Sequence, residues 1–379
     1  MSKDIVSFIL AGGKGTRLSS LTRKRAKPAI SFAARYRIID FPLSNLANSG
    51  FDTVSTITQY ESIALNSYIG NGEKWGLNGC RSISTVISPR QTEEGASWFF
   101  GTADAIYQNI DYLEKLNPEN VLILSGDHIY RMSYNDMLNF HKKRRADLTI
   151  CSIEVAIDET SRFGIINADK TGRVIGFEEK PKEPKSRLAS MGIYIFKFDF
   201  LKRVLIEDHA NLTSTHDFGK DIIPHLIQNN SRVYTYRYDG YWRDVGTLKS
   251  LHDANLDIID SMHEFSKSDD DLVRHIYTED THSLPAYIGK NAIVDHSLIN
   301  QGAIILGTVR DSVISNEVLI EKGAFVDRCI IMNDVTIEEG ARIYDAIVAP
   351  HTIIKAHSVI NESRSQIILY TDKDGDDYE

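Results

Sequence analysis

The chain is poor in sulfur, carries no surplus of positive charge and contains no long apolar run. Its three cysteines, Cys80, Cys151 and Cys329, are odd in number, far apart and outside metal-ligand spacing. That excludes a disulfide framework or a thiolate metal centre and leaves reduced packing residues. Lys and Arg number 43 against 52 Asp and Glu, a net charge of -9, so no broad basic face remains to hold nucleic acid or an anionic membrane. The run Ile5 to Leu10 is shorter than the core of a secretory signal, and no stretch reaches the length of a bilayer span. A cytoplasmic location is the expectation, and any anion site must be local.

What is present suits a soluble protein with room for two cores: 379 residues, 42% hydrophobic and 25% charged. Over residues 1–260, short β-branched runs alternate with helical patterns. Ile5 to Leu10, Val54 to Thr58, Val121 to Leu124, Leu148 to Val155 and Ile193 to Phe196 read as buried strands. Ala105, Ile106, Ile110 and Leu113 fall on one helical face behind Thr102 as N-cap, and Tyr134, Met137, Leu138 and His141 repeat the spacing. The alternation predicts a mostly parallel sheet covered by helices.

Residues 261–284 lose this periodicity and gain charge, as a crossing linker would. Residues 285–370 then place a small or aliphatic side chain at every sixth position: Val318, Ala324 and Ile330, and after a one-residue slip Val335, Ala341, Ile347, Ile353 and Val359. With the turns "EKGA" and "EEGA", this period predicts a parallel β-helix in which, at about 18 residues per coil, residues 285–361 give roughly four coils. Its open ends need covering, by the first domain or by another copy. Residues 371–379 read as a solvated acidic tail.

The stretch "FILAGGKGTRLSSLTRKRAKPA" follows the first strand. Gly12, Gly13 and Gly15 let backbone N–H groups turn inward at a helix N-terminus, where phosphate is favoured, and Arg17 adds a planar charged fork. The spacing is neither that of the ATPase loop nor that of dinucleotide folds. Lys27 precedes Pro28, which biases it to an extended conformation. "VLILSGDHIY" sets Asp127 at a strand's carboxyl edge, and Asp244 in "YWRDVGT" is a second carboxylate; together with phosphate oxygens the two suit Mg2+. In "GFEEKPK", Glu179 and Lys180 form either a solvated charge pair or a site for a sugar phosphate. His296, His351 and His357 read as surface residues of the solenoid.

Taken in order, "LAGGKGTRL", "KRAKPA", "YRIIDFPLSN", "LSGDHIY", "FEEKP", "ASMGIYIF", "HDFGKDIIP" and "GYWRDVGT" resemble the bacterial glucose-1-phosphate adenylyltransferases (ADP-glucose pyrophosphorylases), specifically their catalytic subunits. The resemblance implies a Rossmann-like α/β nucleotidyltransferase domain with a mostly parallel mixed sheet, then a short left-handed parallel β-helix. It implies that ATP and glucose 1-phosphate give ADP-glucose and pyrophosphate for glycogen synthesis. By motif, Gly12, Gly13, Gly15 and Arg17 would hold ATP, and Asp127, Arg17 and Lys27 would carry catalysis. Asp127 and Asp244 would hold Mg2+, while Phe99, Gly164, Glu179, Lys180, Ser190, Asp217 and Trp242 would form the glucose 1-phosphate site. Lys24 and Arg25 match positions that bind regulatory anions in some relatives, and a homotetramer or a heterotetramer with a regulatory paralogue is implied.

The chain departs from the family at Phe99, where tyrosine is common, at Phe100, where a cation is common, and at Ala33 and Ala34, which replace a glycine pair. Gly76 and Asn78 stand where aspartates are frequent. Three other readings share part of this pattern: a nucleotidyltransferase using another NTP, a noncatalytic regulatory paralogue, and acyl transfer by the β-helix. The joint presence of Asp127, Lys180 and Asp244 weighs against the second, and the lack of a distinguished solenoid histidine against the third.

Overall fold

The computed structural model describes residues 4–13, 15–80, 82–92, 95–96, 98–266 and 275–371; the acidic-tail expectation falls almost wholly outside them. Among the described residues, nine strands form one mixed sheet. Its centre runs Leu188–Lys197, Asn120–Ser125, Ile5–Leu10, Thr53–Ile57, Ile83–Ile87. The last four of these are mutually parallel, whereas Leu188–Lys197 pairs antiparallel to Asn120–Ser125 and opens an antiparallel wing. Val6, Phe8, Val121 and Ile123 are fully buried and pack into one apolar layer, while Ile9, Leu122 and Leu124 pack into the other, so both faces of the sheet are covered.

Two helical expectations change in detail. The pattern from Ala105 to Leu113 forms two helices, Thr102–Tyr107 and Ile110–Leu116, because the Asn109 side chain bonds the Ala105 carbonyl and the run breaks there. Thr102 is the first helical residue rather than the cap; its hydroxyl instead donates to Asp217 at 3.0 Å and accepts from the Phe218 amide. Helix Tyr134–Arg144 buries Tyr134, Met137, Leu138 and His141 as its spacing predicts.

The helix Leu248–Ser266 leads out of this α/β head, and residues 275–284 are fastened back onto the head as a strap. Tyr277 N donates to Ser44, Asn48 donates to the His275 carbonyl, and Arg37 pairs with Glu279 at 3.0 Å. This strap is anchored by the "YRIIDFPLSN" segment. There Asp40, buried and bonded to Tyr68 at 2.7 Å, has its pKa pushed up to about 6 by burial.

Beyond the strap stand three five-stranded parallel sheets, hence five tiers rather than four. Leu319 pairs with Thr336 and Thr336 with Ile353, 17 residues on each time, while Ile304 pairs with Leu319 after 15. A 17-residue coil is two steps of six and one of five, so the slip seen once in the sequence recurs in each coil of that length. The buried row therefore passes from Val335 to Thr352, and Ile353 is 41% exposed. Val313, Ile330, Met332 and Ile347 of the solenoid share an apolar cluster with Leu18, Ile30, Leu251 and Ile258 of the head. Asn300 of the solenoid donates to the Ala34 carbonyl at 2.9 Å. Ala33 and Ala34 both have positive φ, 50° and 62°, the conformation a glycine pair would adopt without strain.

Candidate active site

Three parallel strands end at one cleft: Ile5–Leu10 runs into the glycine turn, Thr53–Ile57 leads to Gln59, and Asn120–Ser125 leads to Asp127. The cleft has a volume of about 700 Å3, and Gly12, Gly13, Gly15, Arg17, Lys27, Phe99, Asp127, Glu179 and Asp217 all line it. After the turn comes a 3-10 helix, Thr16–Thr22, not an α-helix, so the phosphate-favouring donors are those of a tight turn. Gly15 has φ 61°, and a Cβ there would lie 3.0 Å from the Thr22 methyl and 3.2 Å from Lys27 Cβ; only glycine lets the turn close against Lys27. Lys27 is not extended as expected but opens the 3-10 turn Lys27–Ala29, with Pro28 inside it and the side chain buried.

The second acid arrives through strand pairing. His128–Tyr130 and Trp242–Asp244 form a two-stranded antiparallel ribbon in which Asp244 stands opposite His128, beside Asp127. Lys27 Nζ donates to Asp127 Oδ2 at 2.9 Å and to Asp244 Oδ1 at 3.3 Å. The other oxygens have partners too. Ser125 donates to Asp127 Oδ1, with His128 Nε2 3.3 Å away, and Arg162 donates to Asp244 Oδ2 at 2.8 Å. Burial would raise both carboxyl pKa values, but Lys27 and His128 outweigh it and hold both below the usual carboxylate range, so both acids are ionised.

The opposite end of the cleft carries Glu179, Asp217 and Phe99. A Cβ on Gly164 would clash with the Phe177 ring and lie 2.9 Å from Glu179 Oε2, so the glycine leaves room for both the ring and the carboxylate. Asp217 accepts from the amides of Gly219 and Lys220 as well as from Thr102, which fixes it at the rim. Phe99 is held by its backbone, whose amide donates to Gln59 at 2.9 Å, and Phe100 projects 77% exposed at the mouth.

Four predicted sugar-site residues do not themselves line the cleft. Lys180 pairs with Glu179 at 2.9 Å from an exposed position, and Gly164 lies under that carboxylate. Ser190 is buried beside Tyr194, while Trp242 packs edge-on against His128 and Phe163. Lys24 and Arg25 are in neither group. They border a small pocket of about 30 Å3 between the head and the solenoid residues Met332, Ala349 and Pro350.

Sequence reasoning missed His128, Arg162, Ser125 and Gln59. Ser125 and His128 sit inside the motif "LSGDHIY" and Arg162 stands two residues before Gly164, so adjacency was their signal. Gln59 had none, because its role depends on a loop 40 residues away.

Cationic glycine turns facing ionised acids across an open α/β edge suit nucleotidyl transfer, and residues 6–261 match the family described as Nucleotidyl transferase. Residues 285–366 match a second, GlmU-like C-terminal hexapeptide. At the level of whole chains, the protein is 45% identical to a glucose-1-phosphate adenylyltransferase of Desulfitobacterium hafniense, covering 96% of this chain and 90% of the relative. It is 48% identical to that of Geobacillus stearothermophilus, over 98% and 96%. The Clostridium acetobutylicum enzyme is 49% identical over 86% and 85%. The chain belongs to the glucose-1-phosphate adenylyltransferase family.

Proposed function

We propose that ATP and α-D-glucose 1-phosphate react in this cleft to give ADP-glucose and pyrophosphate, the glucosyl donor then serving glycogen synthesis. The observation that carries the reading is the buried Lys27 set between Asp127 and Asp244 at the foot of the glycine turn, with Glu179 and Asp217 at the far end. Gly12, Gly13, Gly15 and Arg17 take the triphosphate, and Glu179 and Asp217 accept hydrogen bonds from sugar hydroxyls. Lys180 supplies positive charge for the sugar phosphate, and Ser190 and Trp242 support the wall behind it. The attacking group is already an anion, so the protein's work is alignment and charge neutralisation, with no covalent relay.

A divalent ion fits the donor set. Asp127, His128 and Asp244 each offer one atom, all within 4.8 Å of one another, and the two hard carboxylate oxygens favour Mg2+ over softer metals. Held by Asp127 and Asp244, Mg2+ would draw charge from the phosphate oxygens during transfer.

Lys24 and Arg25 border the head–solenoid pocket and suit a regulatory anion. The exposed apolar edge of the first tier, with Tyr287 at 59% and Ile293 at 51%, supports assembly into a homotetramer or a heterotetramer with a regulatory paralogue. No helix among the described residues is long and apolar enough to cross a membrane, and the proposed setting is cytoplasmic. The test is ADP-glucose formation by the purified chain across a panel of nucleoside triphosphates, with and without sugar bisphosphates. ATP is expected to be used well ahead of UTP and dTTP; preference for another nucleotide, or no turnover, overturns the reading.

A further inference from the structure

The acid pair that suits a divalent ion already holds a cation belonging to the chain. Lys27 Nζ bridges the two carboxylate oxygens that face each other, at 2.9 Å and 3.3 Å. The two outward oxygens are held by Ser125, His128 and Arg162. These outer groups are themselves tied down: His128 Nδ1 lies 3.2 Å from the Met191 carbonyl, and Arg162 also reaches the Asp244 carbonyl. The position that bridges the two facing oxygens, where one ion could bind both acids, is the lysine's own place.

An ammonium and a divalent ion cannot both contact those facing oxygens, because their mutual repulsion in a buried setting would exceed what either gains. One must leave. Lys27 has a flexible four-carbon stem and lines the same cleft as the glycine turn and Arg17, so its ammonium can turn toward phosphate oxygens without the backbone moving. Moving it into an empty cleft would strip a charge of its partners; moving it onto a triphosphate replaces them.

We propose that Lys27 is a resident counter-ion that occupies the divalent-cation position in the nucleotide-free enzyme and yields it only when a polyphosphate draws the ammonium away. The proposal rests on the reading of Asp127 and Asp244 as cation ligands. By linkage, cation and polyphosphate then bind with positive cooperativity, and the lysine carries the coupling. In this role Lys27 excludes a stray ion from the acids until the substrate that needs it is in place.

The test is Mn2+ binding to the nucleotide-free full-length protein, read from the loss of the free-ion electron paramagnetic resonance signal. Wild type is expected to bind Mn2+ weakly. Lys27→Gln should bind it at least about tenfold more tightly, Lys27→Arg should resemble wild type, and adding Asp127→Asn to Lys27→Gln should abolish the gain. Micromolar binding by nucleotide-free wild type overturns the proposal without any variant, which covers the case in which Lys27→Gln does not fold. Equal binding by wild type and folded Lys27→Gln also overturns it, and leaves the acids standing as metal ligands if Asp127→Asn removes that binding. If no variant binds Mn2+ and Asp127→Asn turns over normally, the metal reading falls as well.

Discussion

In the cleft of the head, charges are buried because each faces an opposite charge: Lys27 between two aspartates, Asp244 between Lys27 and Arg162. In the solenoid the interior is filled by Ile305, Val309, Ile320, Val326, Ile337 and Ile343, all fully buried, and charges such as Arg328 and Asp345 pair at its corners. The head concentrates groups far apart in the chain onto one point, and the solenoid repeats one local solution tier after tier. The contrast teaches where a change should be felt. Altering the cleft should cost chemistry more than stability, and altering a tier should cost stability more than chemistry.

The sharpest way to break that contrast is Asp127→Asn, which keeps the side chain's size and removes its charge. Turnover should fall by about 10^3-fold while the melting temperature stays close to wild type. A large loss of stability with activity retained would reverse the assignment. In the solenoid, Ile337→Ala should destabilise by about 3 kcal/mol, seen in a denaturant melt, with kcat/KM of the folded fraction unchanged.

Acid should separate the regions next. His141, buried in the head against Thr149 at 2.8 Å, has its pKa lowered to about 4 by burial, from 6.5. It is neutral in the fold and takes up a proton on unfolding, so its contribution is fully present above 6.5 and is lost as the pH falls toward 4. The loss amounts to about 3 kcal/mol, and melting temperatures of His141→Gln should fall less steeply over that window than those of wild type. His296 in the solenoid has the opposite sign: its hydrogen bonds to Asp311 and Asp260 raise its pKa, so what it adds is present at low pH and lost as the pH rises.

Lys180→Ala should raise the KM for glucose 1-phosphate about tenfold and leave that for ATP nearly unchanged; equal changes in both would remove Lys180 from the sugar end. The smallest effect is expected where the two regions meet. Ala34→Gly should stabilise by about 1 kcal/mol, because φ 62° is strained for alanine, and turnover should not change.

The motifs that lie next to a strand end were legible, since strand direction alone delivers Gly12, Gly13 and Asp127 to one edge. Asp244 was legible as a residue but not as a neighbour: 117 positions separate it from Asp127, and only the ribbon register Asp244 opposite His128 brings them together. Trp242 and Ser190 were legible as motif members, yet neither lines the cleft: Trp242 packs against His128 and Phe163, and Ser190 lies beside Tyr194. The solenoid's period was legible and its tier count was not, because one slip in the pattern does not reveal that the slip recurs.

By itself the sequence determined the alternation of strands and helices, the six-residue period and the glycine turn, because each depends on side chains close along the chain. The meeting of Lys27 with two distant acids, the strap that ties residues 275–284 to the head, and the apolar seam that docks the solenoid were decided by tertiary structure alone. The reason is physical: a local pattern fixes which face of an element is apolar, while the partner that covers it, and the charges left facing one another, follow only once all the elements have packed.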